Sequence, residues 1–166
     1  MIYKIKKIKN NSFKDHRGYY WTSWKKNIIN KIKFNHDKFS LSKKNVLRGL
    51  HGDTKTWKLV SCPYGKFLLV VVDCNKKSKN YLKWRSWILS HENSLQILIP
   101  PNYANGHLCL SDHCLFHYKL SYKGSYFGAS KQFSLKWNDP KLNIKWPIKK
   151  PILSLRDKRT KFLYGN

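Results

Sequence analysis

Hydrophobic positions along this chain come in short runs separated by turn residues, and few of them repeat at helical spacing. The apolar run at residues 65–73 predicts a central strand that is buried on both faces. Further strands are predicted at residues 84–89, 95–99 and 108–120. Only residues 22–32 carry apolar side chains on one helical face, and they predict the one good helix.

The two ends of the chain extend this β-rich pattern. Residues 1–11 alternate Lys with Ile and lack an uninterrupted apolar segment, which predicts a first strand rather than a secretory signal. Apolar and polar side chains alternate over residues 133–137, as in a half-exposed strand, and a turn follows at 138–140. Many short strands in one domain, residues 1–166, predict an all-β fold: a jelly-roll sandwich or barrel with a few short helices.

The charge of the chain is extreme, with 34 Lys and Arg against 8 Asp and Glu, a formal net charge of +26. Such a balance is typical of nucleic-acid binders. The excess is mostly Lys, however, and it is spread along the whole chain together with much Asn and Ile, which suggests an AT-rich genome. We therefore expect no specific nucleic-acid partner, and since no apolar run reaches membrane-spanning length, no membrane partner.

Cysteine and histidine spacings predict neither a disulfide framework nor a metal site. The four cysteines form no C-x-x-C pair and lie in or beside apolar runs, so buried free thiols in a reducing cytoplasm are expected. The segment His51-Gly52-Asp53 lacks the second His that jelly-roll metal sites often use. His113 and His117 are four residues apart on a predicted strand, where that spacing does not form a helical metal pair.

Three basic side chains within eleven positions form the most informative local cluster. His51 can take a proton near neutral pH, Lys58 can stabilise an enolate-like oxygen, and Arg48 offers a planar fork for phosphate oxygens. Together they suit proton abstraction next to a carbonyl on a phosphorylated substrate. Simpler alternatives are a structural histidine, a surface ion pair and one more solvated lysine.

A carboxylate against the other ring nitrogen of His51 would fix its tautomer and raise its basicity. Because acidic residues are so few, the candidates are few, and they include Asp157 and Asp53. The sequence leaves both open.

A series of short motifs follows in order from about residue 13 to residue 157. They are Phe13-Lys14-Asp15-His16-Arg17-Gly18, Ser40-Leu41-Ser42, Val46-Leu47-Arg48-Gly49-Leu50-His51, Lys58-Leu59-Val60, Val72-Asp73, Ile99-Pro100-Pro101, Tyr118-Lys119, Trp137-Asn138-Asp139-Pro140, Ile144-Lys145-Trp146-Pro147 and Leu153-Ser154 with Asp157. As an ordered set, they resemble the dTDP-4-dehydrorhamnose 3,5-epimerase family of the cupin superfamily. The resemblance implies a cupin-type jelly-roll β-barrel and a cytoplasmic isomerase that needs no cofactor.

The resemblance also implies roles for individual residues. His51 matches the general base, Asp157 its carboxylate partner, and Tyr118 the acid on the opposite face of the sugar. Lys58 matches the lysine near the C4 oxygen. The diphosphate-binding arginines correspond to Arg48 and Arg17.

Departures from the family pattern concern the nucleotide. Thr22 stands where the family usually has a Glu that reads thymine, and His36 and Lys38 replace its Gln and Asn. Residues 34–39, 51–58 and 151–154 are similar to epimerases of GDP-linked 4-keto heptoses, which serve bacterial capsule synthesis. These differences imply a GDP- or dTDP-linked sugar substrate, with the base left open.

A further departure lies at Ala104-Asn105-Gly106-His107, where the family has Ala-His-Gly-Phe. One histidine is thus lost at Asn105 and one is gained at His107. Residues two apart in a strand share a face. We therefore expect both side chains at the substrate site, with His107 as a possible substitute for the missing imidazole.

Alternative functions remain open from the sequence. One is an epimerase that acts at C3 alone or at C5 alone, and another is a noncatalytic cupin that binds sugar nucleotides. Members of the family are dimers with exchanged strands, which implies a homodimer in which Arg17 contacts the partner's site.

Overall fold

The computed structural model of this chain describes residues 4–25, 29 and 32–163. In these residues the dominant element is the β-strand. The strands are β1 Lys6–Lys9, β2 Ser12–Asp15, β3 Gly18–Trp21, β4 His36–Lys43, β5 Leu47–Gly52, β6 Trp57–Tyr64, β7 Lys66–Asp73, β8 Trp84–Ser90, β9 Leu95–Ile99, β10 Tyr103–Cys109, β11 His113–Ser121 and β12 Phe133–Ser134. A 3-10 turn at Ala129–Lys131 and one short helix, α1 at Leu155–Arg159, are the helical elements of the described chain.

Two five-stranded antiparallel sheets build the body of the protein. One has the order β1-β9-β6-β11-β4 and the other β12-β5-β10-β7-β8, while β2 and β3 form a separate hairpin. Buried side chains from both sheets, such as Ile97 and Phe116 of the first and Phe67 and Leu69 of the second, meet in one apolar cluster. This two-layer arrangement of antiparallel strands is the predicted all-β jelly roll.

The second sheet is covered on its outer face as well. Leu50, Val70 and Val72 point away from the first sheet and pack against Leu135 and Leu142 of the C-terminal segment. Because both faces are buried, β7 reads as a continuous apolar run, and the central strand predicted at residues 65–73 is confirmed. The C-terminal segment is thereby fixed next to β5, which carries His51.

Two predicted elements differ from the observed ones. The strand expected at residues 108–120 is two strands, β10 and β11, separated by a turn at 110–112 in which the Leu110 amide donates to the Lys66 carbonyl at 2.9 Å. The strand expected at 133–137 is paired as a strand only at β12, and Leu135 continues with two hydrogen bonds to Leu50. Turn residues with hydrogen-bonding side chains, such as Ser111, break a pattern that hydropathy alone reads as continuous.

The predicted helix at residues 22–32 is not present in its described part. Residues 22–25 have no regular secondary structure, and most of the remainder lies outside the described residues. Its residue Trp24 packs edge-on against Phe34, with ring centres 4.9 Å apart. In residues 22–25, the apolar side chain of Trp24 is therefore half-buried by packing of an irregular segment and does not lie on the face of a helix.

Two further features concern the cysteine side chains and the apolar length of the helices. All four cysteines are free, as predicted, and three of them are buried. In the described part of the chain, no helix is long and apolar enough to cross a membrane.

Candidate active site

A cavity of about 310 Å³ opens between the two sheets, at the end where β5, β6, β10 and β11 come together. The strands and the C-terminal segment both contribute to its wall. The lining residues are Lys38, Ser40, Arg48, His51, Lys58, Asn105, His107, Phe116, Tyr118, Tyr126, Gly128, Ala129, Gln132, Ser154, Arg156 and Asp157.

His51 and Asp157 form the closest polar contact in this wall. The Nε2 atom of His51 lies 2.7 Å from Oδ1 of Asp157, whose side chain is almost fully buried. Asp53, the other candidate carboxylate, instead accepts the backbone N–H groups of Lys55 and Thr56. With Nε2 donating to Asp157, the Nδ1 atom of His51 is the ring nitrogen that can accept a proton.

Asp157 is held by the start of helix α1. Ser154 caps this helix: its hydroxyl accepts the Asp157 N–H at 3.1 Å and donates to Asp157 Oδ2 at 2.8 Å. Burial raises the pKa of Asp157, but hydrogen bonds from His51 and Ser154 outweigh it and hold that pKa below its ordinary value. The carboxylate therefore stays ionised at neutral pH and orients the imidazole.

Lys58 projects into the same cavity from β6 and is only 7 % exposed. Its ammonium donates to Asn105 Oδ1 at 2.8 Å and to the His51 carbonyl at 3.4 Å. Asn105 faces His51 across the β5–β10 pairing, which explains why the three residues meet. Burial lowers the pKa of Lys58 to about 8, so the amine is mostly protonated at neutral pH.

Tyr118 lies on β11 and lines the same cavity as His51. Its ring packs edge-on against Phe116, with ring centres 5.3 Å apart. Burial, with a smaller contribution from Tyr126, raises the pKa of the Tyr118 phenol to about 12. The phenol therefore keeps its proton throughout the physiological range and can donate it.

His107 is a neutral, packed side chain rather than an imidazolium. It is buried, stacks on Phe116 with ring centres 4.3 Å apart, and its Nε2 lies 3.4 Å from the Ser42 hydroxyl. Burial and the charge of Arg48 lower the pKa of His107 to about 3. The contact with Lys58 is made by Asn105, so His107 lines the cavity without adding a charge to it.

Arg48 and Lys38 bring cationic groups to the cavity. Arg48 is held by hydrogen bonds from Nε to the Ser42 hydroxyl and from a terminal nitrogen to the Leu41 carbonyl. The Lys38 ammonium lies 4.7 Å from the centre of the Tyr126 ring. His36 is not among the lining residues, and its Nδ1 contacts the Tyr122 hydroxyl at 3.0 Å.

Arg17 is the one predicted site residue that lies on a separate part of the surface. It is at the tip of the β2–β3 hairpin, its side chain is 77 % exposed, and it pairs with Asp15 at 2.6 Å. The hairpin forms its own shallow depression and does not border the cavity of the same chain.

Other lining residues were not found from the sequence. Arg156 donates to the Ser134 hydroxyl at 2.9 Å, and Tyr126 and Gln132 also line the cavity. Arg156 could have been found because it is next to Asp157 in the sequence. The other two lie in an irregular segment whose position depends on tertiary packing.

The arrangement offers the kinds of group that proton transfer needs. It combines a histidine with a free ring nitrogen, a buried ammonium and a protonated phenol around one cavity. Within the described residues, no group of three His, Cys, Asp or Glu side chains has an arrangement that could hold a metal ion.

The sequence of this chain is similar to those of named enzymes. The chain is 38 % identical to the dTDP-4-dehydrorhamnose 3,5-epimerase of Salmonella typhimurium over 154 residues, which is 87 % of this chain and 82 % of that protein. It is 36 % identical to the enzyme of that name from Escherichia coli K12 over 156 residues, 89 % of this chain and 83 % of that protein.

Solved structures give the same result for the fold. The epimerase of Bacillus anthracis, with TDP and pyrophosphate bound, is 32 % identical with a TM-score of 0.89, covering 96 % of this chain and 94 % of that chain. The epimerase of Legionella pneumophila, in complex with dTDP-4-keto-L-rhamnose, is 34 % identical with a TM-score of 0.87, covering 96 % and 87 %.

The family model described as dTDP-4-dehydrorhamnose 3,5-epimerase matches residues 1–164 of this chain. Nearly the whole sequence thus carries the family pattern, and the fold and the relatives agree with it. This chain therefore belongs to the dTDP-4-dehydrorhamnose 3,5-epimerase family of isomerases.

Proposed function

We propose that this protein is a cofactor-independent 3,5-epimerase of a nucleotide-diphosphate 4-keto sugar. The observation that carries this proposal is the common cavity of His51, Lys58 and Tyr118, with Asp157 bonded to the histidine. Relatives that share about a third of the sequence bear the name of such epimerases.

The proposed chemistry uses the acidity of hydrogens next to a ketone. His51 Nδ1 takes the proton from C3 or C5 while the C–H electron pair moves into an enolate at C4, whose oxygen is stabilised by the Lys58 ammonium. Tyr118 then protonates the same carbon from the opposite face and the ketone reforms. The His51 imidazolium releases its proton to solvent, and the phenolate regains one from solvent. The stereocentre is inverted without any change of oxidation state.

The charge of the cavity favours an anionic substrate. Four cationic side chains line it, whereas the carboxylate among the lining residues, Asp157, is already bonded to His51. The cations are Lys38, Arg48, Lys58 and Arg156. A diphosphate would be held by such a set, with the arginines as planar forks for its oxygens.

Deuterium incorporation tests the proposed reaction. In deuterated water, a 3,5-epimerase is expected to place two deuterium atoms in the sugar, at C3 and C5, whereas an epimerase of one position places one. Mass analysis with NMR assignment of the product distinguishes these outcomes. If the protein binds nucleotide 4-keto sugars but places no deuterium in any of them, it is a noncatalytic cupin, and this outcome would contradict the proposal.

We propose GDP as the nucleotide and a 4-keto heptose as the sugar, within surface-polysaccharide (capsule or lipopolysaccharide) synthesis in the cytoplasm. The support is the replacement of three residues of the family pattern by Thr22, His36 and Lys38. Lys38 lies against Tyr126, and His36 contacts Tyr122. Where the family has the two amides of Gln and Asn, this chain therefore offers an imidazole and an ammonium. A 4-keto-6-deoxy hexose linked to dTDP, as named for the relatives, is the alternative.

A thermal-shift screen of GDP, dTDP, UDP and CDP separates these substrates. A bound ligand raises the apparent melting temperature by mass action, so the cognate nucleotide gives the largest increase at equal concentration. We expect GDP to exceed dTDP, and the variant with Lys38 changed to Asn to lose part of that preference. A larger shift with dTDP would contradict the GDP proposal and leave the epimerase proposal intact.

We also propose that the protein is a homodimer in which Arg17 serves the partner's cavity. The two-stranded β2–β3 hairpin exposes Phe13 and Tyr20 by 62 % and 68 %, although isolated hairpins of this kind are marginally stable in water. A second apolar surface lies on β4, where Phe39 and Leu41 are exposed. A second copy of the chain would cover both surfaces.

Mixing two inactive variants tests this dimer. If Arg17 acts across the interface, Arg17→Ala and His51→Asn chains refolded together form mixed dimers with one complete site, which restores about a quarter of the full activity. Mixing the same two variants without exchange of subunits is the control. A protein that stays monomeric in solution, or a mixture that stays inactive after exchange, would contradict the proposal.

A further inference from the structure

We propose that Lys55 is a positioning residue of this site: its ammonium clamps the irregular segment 122–128 in place, and this segment carries Tyr126 into the cavity wall. The inference rests on the proposed epimerase function. Lys55 lies in the loop between β5 and β6 and is not among the residues that line the cavity. It therefore acts through the segment and not by touching the substrate.

Segment 122–128 has little backbone support of its own. It joins β11 to the 3-10 turn at Ala129–Lys131 and has no regular secondary structure. Gly124, with a φ of 67°, bends it away from the extended path of β11. Tyr126 and Gly128 of this segment line the cavity. Because a segment without regular structure opens at low cost, its position depends on side-chain contacts.

The ammonium of Lys55 supplies such contacts along the segment. Its Nζ donates to the Ser125 carbonyl at 2.5 Å and to the Lys123 carbonyl at 3.3 Å. The same atom lies 3.7 Å from the centre of the Phe127 ring and 5.9 Å from that of Tyr122. Hydrogen bonds from a charged donor and cation–π contacts are stronger than their neutral counterparts. One side chain thus holds the segment on both sides of its bend.

The loop that carries Lys55 is itself fixed. Asp53 Oδ1 accepts the backbone N–H groups of Lys55 at 3.0 Å and Thr56 at 2.7 Å, and the Asp53 side chain is buried. The loop connects the strand of His51 to the strand of Lys58. The clamp therefore joins the segment to the part of the fold that carries the proposed base and the proposed cation.

Other groups around Phe127 hold the segment less closely. The Gln132 side-chain amide donates to the Phe127 carbonyl at 3.4 Å, which is a long hydrogen bond. The Lys131 ammonium lies 5.8 Å from the centre of the Phe127 ring, on the side of the 3-10 turn. Neither contact reaches the carbonyls at 123 and 125 that Lys55 binds.

Tyr126 is the side chain whose position the clamp decides. Its ring lies 4.7 Å from the Lys38 ammonium and packs edge-on against His36, with ring centres 5.0 Å apart. The proposed base, cation and acid lie on strands β5, β6 and β11 and do not depend on the segment for their place. Loosening the segment is therefore expected to weaken substrate binding more than the chemical step.

Limited proteolysis of the full-length protein measures the clamp without any substrate. Chymotrypsin cleaves after Phe127 only while the segment is detached, so the rate of this cut, read by peptide mass spectrometry, reports the open population. Lys55→Met keeps the length of the side chain and removes the ammonium. We expect this variant to be cut about tenfold faster than the wild type, because charged hydrogen bonds and a cation–π contact are lost.

Kinetics are expected to follow the proteolysis result. In Lys55→Met we expect KM for the nucleotide 4-keto sugar to rise about three- to tenfold while kcat stays within about twofold. Lys55→Arg keeps a cation with several N–H donors and is expected to restore both KM and the slow cleavage. A role confined to stability would not separate KM from kcat in this way.

The matched control is Lys123→Met, which removes the same charge from an exposed side chain of the segment and keeps the carbonyl that Lys55 binds. We expect wild-type cleavage and KM in this variant. Lys55→Ala is the second neutral variant should Lys55→Met not fold, and the melting temperature of each variant is measured alongside.

Two outcomes overturn the inference: wild-type cleavage after Phe127 in a folded neutral variant of Lys55, or faster cleavage with an unchanged KM. If the wild type epimerises no sugar, the proposed function fails, and the dissociation constants of GDP and dTDP take the place of KM. Faster cleavage with weaker nucleotide binding then still supports the clamp, whereas faster cleavage with unchanged binding overturns it.

Discussion

Replacing His51 by Asn is expected to lower kcat/KM for epimerisation by about 10³- to 10⁴-fold, the largest loss for any single substitution in this protein. Lys58 acts in the proposed reaction as a cation rather than as a base, and the substitution removes the Nδ1 lone pair that takes the substrate proton in that reaction. His107 cannot take its place, since its pKa of about 3 makes it a very weak base. Deuterium exchange at both carbons should disappear together with product formation.

The measurement needs nucleotide binding as a second readout. We expect the thermal shift with the cognate nucleoside diphosphate to survive in His51→Asn, because we propose that the arginines and lysines of the cavity hold the diphosphate. His113→Asn, on the exposed start of β11, is the matched control and should keep wild-type kinetics. Epimerisation by His51→Asn at more than a tenth of the wild-type rate would contradict the assignment of His51 as the base.

Replacing Tyr118 by Phe is expected to separate proton exchange from inversion. Only the phenol oxygen is lost, and the ring can keep its packing on Phe116. His51 can still remove the proton and return a solvent deuteron to the same face, so the substrate gains deuterium with its configuration retained. Formation of the epimer should fall by about 10²- to 10⁴-fold, because the acid on the opposite face is missing.

The direction of the Tyr118 pKa shift is consistent with the proposed role of this phenol as the acid. Burial raises the pKa of Tyr118 to about 12, so the group is protonated below that pH and can donate at all physiological pH values. Tyr64→Phe, at an exposed tyrosine near the end of β6, is the matched control. Inverted product at the wild-type rate from Tyr118→Phe would show that another group protonates the second face.

Much of the fold follows from local pattern. The strands β7, β8 and β9 were predicted within one or two residues, since their apolar runs are bounded by turn residues and belong to single strands. Prediction was wrong where the pattern continued through a turn, as at residues 110–112, and where the apolar spacing at 22–25 reflects packing of an irregular segment. Hydropathy reports burial, and burial alone does not distinguish a helix from a packed loop.

The residues of the candidate site also fall into a group that the local sequence predicts and a group that it does not. Arg48, His51 and Lys58 could be grouped from the sequence because they lie on two strands joined by one short loop. Asp157 and Tyr118 were assigned only by resemblance to a family, since contacts across 106 residues, as between His51 and Asp157, leave no local signal. The part of Asn105 in holding Lys58 was not predicted, although the residue was expected at the site.

The sequence by itself therefore determined the strand pattern, the family and the cluster of basic groups that makes the cavity cationic. Tertiary structure alone decided which side chain holds the lysine and that Arg17 lies away from the cavity of its own chain, and it brought Asp157 rather than Asp53 to the histidine, a choice that the residues without the family resemblance left open. The physical reason is that hydrogen bonds and pKa values depend on distances and burial. These are fixed only when the two sheets and the C-terminal segment pack together.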